Sequence, residues 1–521
     1  MGQRSIDKRV TISEYCKHKV FPEEIVLSQH KVWGAHSLLA LAVMVGIGGC
    51  MVGPTYETPA VASHGPFNGA GALQGRPGAQ APAELERWWE GFNDPVLNNL
   101  VETALRQNLT LAQAVGRRAQ YVAVAQGARA QLFPTVQATA DATRAKRSLE
   151  DPDIATQQAA LPRFDRTGSL YAAGVSSLWE IDLSGGLRRS AQAAMAEYEA
   201  AEADVAAVGI QVAASVIDNY MLVRLLQSRL ALANEQVATQ ADIEHLVSVL
   251  SSRGLAADRD SQQARSERAV IQATVPTLQA RLTAARNSLD VLVGRQPGSE
   301  DPALESLQPI PAAPAIEAAG GSALLLRQRP DLIVAERQLA ASNERIGQAL
   351  AQYYPKVSLS ALLGSVTPHT NNLFDGASSQ AAAALGLRWR LFDFGRVDAE
   401  VKAARGGYAI QLAHYRHAVL QATAEVEDSI ASLLGGEVRA KLLLDGEKSR
   451  TAARDAVLAS YKKGNSSYLE LLEAQSRLQS LQADRLDATY ASASSAVSLY
   501  KALGGGWNGQ PSHDAVAAST F

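Results

Sequence analysis

The sequence predicts an α+β fold made of two copies of one unit, and three observations in its 521 residues carry that expectation. Trp179 and Trp389 open matching segments, W-E-I-D-L-S-G and W-R-L-F-D-F-G, and their offset of 210 (389 − 179) recurs between Gly254 and Gly464 and between Gly294 and Gly504. Two proline-free stretches, Leu187 to Ser252 and Val397 to Lys462, repeat apolar residues at helical spacing, as in Val212, Val216, Tyr220, Val223 and Leu230. Short segments before each tryptophan instead alternate apolar and polar residues with the period of a strand.

At the N-terminus, Ala35 to Gly49 is an apolar run of secretory length, too short for a comfortable membrane span, and it ends on Cys50. Residues 1–49 therefore read as a signal peptide. Glu23 and Glu24 precede the run and only Lys31 stands close to it, which points to an over-extended start site. Gly48-Gly49-Cys50 resembles the lipobox of bacterial lipoproteins, and that likeness implies a diacylglyceryl thioether on Cys50. A buried structural cysteine is the alternative. From Met51 to Pro82 the chain is rich in Gly, Pro and Ala, so 50–86 reads as an extended, lipid-anchored tether.

Two further matches bracket the strands. Leu105-Arg106-Gln107 pairs with Leu326-Arg327-Gln328 and Phe133-Pro134 with Tyr354-Pro355, both at an offset of 221 (326 − 105). The difference of 11 residues (221 − 210) must lie between the proline and the tryptophan, where helical periodicity stops. There Val136, Ala138, Ala140 and Ala142 alternate with Gln137, Thr139, Asp141 and Thr143, and Tyr171, Ala173, Val175 and Trp179 share one parity. In the second copy Val357, Leu359, Ala361 and Leu363 do the same, as do Leu385, Leu387, Trp389 and Leu391 against Gly386, Arg388 and Arg390. Period two over about ten residues suits a transmembrane barrel strand, apolar toward lipid and polar toward the lumen. Two hairpins per chain cannot close a barrel, because an open edge in hydrocarbon leaves backbone groups unpaired. If they span a membrane, two, three or four chains must pool eight, twelve or sixteen strands; a small sheet capping a soluble bundle is the other possibility.

Each long helix measures roughly 100 Å at 1.5 Å per residue. Arg253-Gly254-Leu255 and Lys463-Gly464-Asn465 read as helix C-termini, with a cation in the last turn and glycine in the left-handed position. Returning helices run to Val293 and Leu503. An antiparallel coiled-coil rod satisfies the same periodicity, but it does not account for the strand inserts.

Composition narrows the function. A net charge of −3 gives no basic face for nucleic acid, and two cysteines cannot make a disulfide framework. His414 and His417 lie at i and i+3, but no carboxylate or thiol pattern completes a metal site, and no phosphate loop accompanies Gly504-Gly505-Gly506. The expectation is a protein with no catalytic constellation, metal or cofactor.

Motifs spread from Cys50 to Trp507 carry a resemblance: Val52-Gly53-Pro54-Thr55-Tyr56; Trp88-Trp89 with Phe92, Asp94, Pro95 and Leu97; Arg329-Pro330-Asp331 with Glu336, Ile346-Gly347 and Tyr354-Pro355; Glu425-Val426-Glu427-Asp428; Tyr461 with Gly464; Leu471-Leu472-Glu473-Ala474; and Leu499 through Trp507. In this order they are similar to the outer-membrane factor family of TolC-like and OprM-like exit ducts, and most of all to its NodT-type efflux lipoproteins. The resemblance implies an α+β membrane protein: a homotrimer whose 12-stranded β-barrel, four strands per chain, continues into a long periplasmic α-helical barrel with a mixed equatorial region. It implies residence in the outer membrane, a periplasmic adaptor as partner, and an inner-membrane transporter of the resistance-nodulation-division or a related class. The expected units are 87–296 (hairpin about 135–182, tip about 253–258), a linker over 297–321, 322–507 (hairpin about 356–391, tip about 463–468), and a tail over 508–521.

The same resemblance assigns a periplasmic aperture to Leu469, Glu470 and Glu473, with Asp260 as the first copy's counterpart of Glu470. Glu470 and Glu473 share a helix face, and threefold symmetry would make each a ring of like charge that selects cations. Two ordinary carboxylates near a helix N-terminus are the plainer reading. TolC-like members place an arginine where Ser466 stands, so no latch through that position is expected. Adaptor docking falls on Arg253, Gly254, Leu255 and Ala256 and on Lys463, Gly464, Asn465 and Ser466, whose glycines also end helices. The expected function is a passive duct for small amphiphiles or antibiotics; a protein-secretion duct and a poreless lipid-anchored scaffold are the alternatives.

Overall fold

The computed structural model describes residues 51–60, 65–74, 85–152, 154, 156, 165–299, 302–314, 316 and 329–507. Cys50, the 1–49 segment and the 508–521 tail lie outside the described residues.

Capped helices open the first copy. Asp94 accepts from the Val96 and Leu97 N–H groups to start α1 (Pro95–Gln107), and Asn108 accepts from Thr110 and Leu111 to start α2 (Leu109–Ala130). The chain then forms β1 (Thr135–Lys146) and β2 (Thr167–Ile181), runs through α3 (Gly186–Ser252) and returns along α4 (Asp258–Leu292). The second copy repeats the order with α5 (Pro330–Leu350), β3 (Lys356–Thr367), β4 (Ser379–Arg388), α6 (Arg396–Lys462) and α7 (Tyr468–Ala502). Each long helix has 67 residues and begins one position before the expected residue.

The four strands make one antiparallel sheet in the order β1-β2-β3-β4, so the two copies join through β2 and β3. Its register settles the alternation. Ala138 faces Val175, Val175 faces Leu363, Trp179 faces Leu359, and Leu359 faces Leu385. Residues paired directly across a ladder lie on one face, so the four apolar series share a single side, with Thr139, Ser176 and Gln380 on the other. The outer strands β1 and β4 are exposed along their whole length.

One expectation is corrected here. Trp389 and Leu391 lie beyond β4, which ends at Arg388. The register pairs Arg388 with Lys356, so the residue opposite Trp389 would be Pro355, which has no N–H to extend the ladder. The Trp389 indole turns instead to the end of the preceding helix and donates to the Tyr353 carbonyl at 2.9 Å, as Trp179 does to Leu132 at 2.9 Å.

Below the sheet α3 and α6 run the full length of the helical part. Near the strands they pack in the order α2-α3-α5-α6, and toward the tips α3 lies against α4 and α7 while α6 lies against α7. The helix α3 is long and apolar enough for a membrane span by composition. It is instead a core helix, since Val216, Ile217, Tyr220 and Met221 are fully buried against Trp88, Leu97, Leu289 and Tyr500. Trp88 stacks on Tyr500 at 4.8 Å, joining the start of one copy to the end of the other. In the linker, Arg224 donates to the Ser306 carbonyl at 2.7 Å, and Leu304 and Ile316 are buried.

The tether expectation is also corrected. Val52, Gly53, Pro54, Tyr56 and Thr58 are hydrogen-bonded to α3, α5 and the turn before α3, and Phe67 and Leu73 beyond them are buried in the main core. Glycine and proline made this stretch look free, but its apolar side chains and backbone groups find partners contributed by residues far along the chain, which no local pattern encodes.

Candidate functional site

Both helical hairpins end in the same left-handed stop. Gly254 has φ +72° and Gly464 φ +77°, with open space around each Cβ position, so glycine is required by the backbone and not by crowding. Gly254 N–H donates to Ser251 and Leu255 N–H to Leu250, both at 2.9 Å; in the second tip Gly464 donates to Tyr461 at 2.9 Å and Asn465 to Ser460 at 3.0 Å. These paired bonds satisfy the last carbonyls of α3 and α6. Arg253, Gly254, Leu255, Lys463, Gly464 and Asn465 are exposed, while Ala256 and Ser466 are half-buried.

The tips differ in how the returning helix starts. At α7 the Ser467 hydroxyl accepts from Glu470 N–H at 3.2 Å and the Glu470 carboxylate accepts from Ser467 N–H at 3.3 Å, a reciprocal cap. Ser466 adds a hydroxyl bond to Ser460 at 2.7 Å. At α4 the cap residue is Ala257, with no side-chain bond. Thus Glu470 is engaged within its own helix end. Glu473 meets Arg477 at 3.3 Å one turn on, and Leu469 is exposed beside them. Asp260 lies half-buried in the first turn of α4, with Arg259 at 3.4 Å.

A small core holds the two tips together: Ile243, Val247, Ala264, Tyr461, Tyr468 and Leu471. Tyr461 and Tyr468 face each other with ring centroids 6.1 Å apart. The Tyr461 hydroxyl is buried and has no hydrogen-bond partner among the described residues. Burial, reinforced by the charge of Asp260, pushes its ionisation up. Charge in the sequence points to Asp260, Glu470 and Glu473 but not to Tyr461, whose only signal is its place three residues before Gly464.

The other functional feature is the sheet, with one apolar face and two unpaired edges. The family profile of outer membrane efflux proteins matches residues 100–295 and 322–505, the two copies found above. The chain belongs to the outer membrane efflux protein family. Among relatives of this family member, the toluene efflux pump outer membrane protein TtgF of Pseudomonas putida is 31% identical over 487 residues, 90% of this chain and 97% of that one. The outer-membrane channel OprN superposes with a TM-score of 0.79 at 30% identity, covering 88% of this chain and 100% of that one. The open state of the Neisseria gonorrhoeae MtrE channel gives 0.75 at 26% identity over 88% and 98%. This efflux protein therefore resides in the outer membrane, and its role is transport.

Proposed function

We propose that three copies of this efflux protein close one 12-stranded barrel and form a passive duct that passes small amphiphiles out of the cell. The observation that carries this is the four-stranded sheet: its apolar residues share one face, and β1 and β4 are bare. In hydrocarbon every unpaired backbone group costs several kcal/mol, so β4 of one chain must pair with β1 of the next until the ring closes. The likeness to solved channels such as OprN supports three chains over two or four. The names of the relatives, which include toluene and antibiotic efflux pump proteins, favour small molecules over secreted protein.

In this reading Cys50 carries the acyl anchor, and the glycine tips meet a periplasmic adaptor that links the duct to a resistance-nodulation-division pump. Leu469, Glu470 and Glu473 on α7, with Asp260 on α4, narrow the tunnel end. Purified protein in planar bilayers should give discrete single-channel conductance and migrate as a trimer on native gels. A stable monomer without conductance would overturn the duct.

A further inference from the structure

The segment that follows Cys50 is held by a buried arginine. Arg189, in the first turn of α3 and only 2% exposed, donates through Nε to the Val52 carbonyl at 3.0 Å and through Nη2 to the Gly53 carbonyl at 3.2 Å. Its Nη1 meets Glu344 of α5 at 2.6 Å. Val52 N–H donates to the Ser184 carbonyl at 3.0 Å, and the Asn343 amide donates to the Pro54 carbonyl at 3.1 Å. Farther on, the hydroxyls of Tyr56 and Thr58 donate to Glu336 at 2.6 and 3.3 Å. The approach is close enough to exclude side chains. A Cβ on Gly53, whose φ is +100°, would lie 2.5 Å from the Gly347 Cα, and one on Gly347 would lie 2.7 Å from Arg189 Nε.

The segment is part of what buries the guanidinium: it supplies the acceptors for two of the three engaged nitrogens and shields them from water, and without it those donors lose the Val52 and Gly53 carbonyls. The slot is therefore built around the segment. Val52 to Tyr56, Glu336 and Gly347, which are among the residues that carry the family resemblance, meet in this one lock.

The duplication supplies an internal control. The 210 offset places Ala399 where Arg189 stands, and the 221 offset places Gln126 opposite Gly347 and Ala123 opposite Glu344. None of the lock recurs, although both copies fold alike. It belongs to one seam, that between α3 and α5, and is no requirement of the repeat.

We propose that Arg189 is a positioning residue that keys the post-cysteine segment into the α3–α5 seam. It fixes the anchored end of the chain beside the foot of β2 and pins the seam within each chain, whereas Ala399, Gln126 and Ala123 at the equivalent positions supply no such lock. The anchoring half rests on acylation of Cys50 in the proposed duct; the lock does not.

The test is a nitroxide on Thr55→Cys, an exposed position, in assembled protein carrying Cys16→Ser, with the same protein lacking Thr55→Cys labelled in parallel so that any signal from an unacylated Cys50 is subtracted. The label should be immobile in this parent, and Arg189→Ala should shorten its correlation time about tenfold, into the nanosecond range of free loops. Arg189→Lys should fall between, since an ammonium can meet Glu344 but lacks the fork for two carbonyls. Should Arg189→Ala fail to assemble, Gly53→Val leaves both buried charges in place and should free the label by blocking the segment alone. A label already mobile in the parent, or equally immobile in all variants, overturns the proposal, as does release by Cys50→Ser but not by the Arg189 changes. A monomer with an immobile label would refute the duct and leave the lock standing.

Discussion

Removing the hydroxyl of Tyr461 should make the tips more stable. The oxygen is buried without a partner among the described residues, inside the cluster that joins α3, α4, α6 and α7. A buried polar group with no hydrogen bond costs roughly 1–3 kcal/mol. Tyr461 retains 7% exposure, so the lower end applies. Tyr461→Phe keeps the ring, its 6.1 Å contact with Tyr468 and the apolar packing, and deletes only the desolvated oxygen. The expected gain is about 1 kcal/mol locally, about a fivefold slowing of exchange for amides that open with the tip. Native-state hydrogen exchange over residues 455–475 of the assembled protein measures it, with the amides around Trp88 as an unaffected control. Faster exchange at the tip in Tyr461→Phe would refute the reasoning, because it would mean that the hydroxyl has a partner worth more than its burial costs.

Three other outcomes follow from the geometry. Leu363→Arg puts a charge on the apolar face of the sheet and should cost about 2–4 kcal/mol near mid-membrane, whereas Thr139→Arg on the opposite face should be tolerated; folding yield of the two variants in detergent distinguishes them, and equal yields would contradict the face assignment. Ser467→Ala removes the reciprocal cap of α7 and should loosen that helix start by about 1 kcal/mol, while Ala257→Ser should gain a similar amount at the uncapped α4; exchange rates of the first-turn amides report both. Glu473→Ala should raise single-channel conductance if the carboxylate narrows the tunnel, and unchanged conductance in a correctly assembled trimer removes Glu473 from the aperture.

Much of the helical part was legible because its signals are local. Gly254 and Gly464 announce their stops through backbone freedom, and the proline-free stretches locate α3 and α6 to one residue. The strands were legible in parity and only partly in extent, since Trp389 continues the alternation but stands opposite Pro355. Asp260 and Glu470 lie in the first turns of α4 and α7 and Glu473 in the turn after; the Glu470 bond to Ser467 is a cap that the spacing S-x-x-E spells, whereas the contact between Asp260 and its neighbours across the tip follows from packing alone. Arg189 left no sequence signal of its role, being one of two consecutive arginines at a helix start.

The sequence by itself determined the duplication, the order of the elements, the length of the two long helices, the left-handed tips and the apolar parity of each strand, because these follow from periods and backbone preferences within a few residues. Only the tertiary structure decided that β2 pairs with β3, that all four apolar series share one face, that Trp88 meets Tyr500, and that Arg189 closes on the carbonyls of Val52 and Gly53. Each of these depends on which surfaces come together from distant parts of the chain, and a side chain's partner is chosen by that three-dimensional neighbourhood, not by the residues beside it.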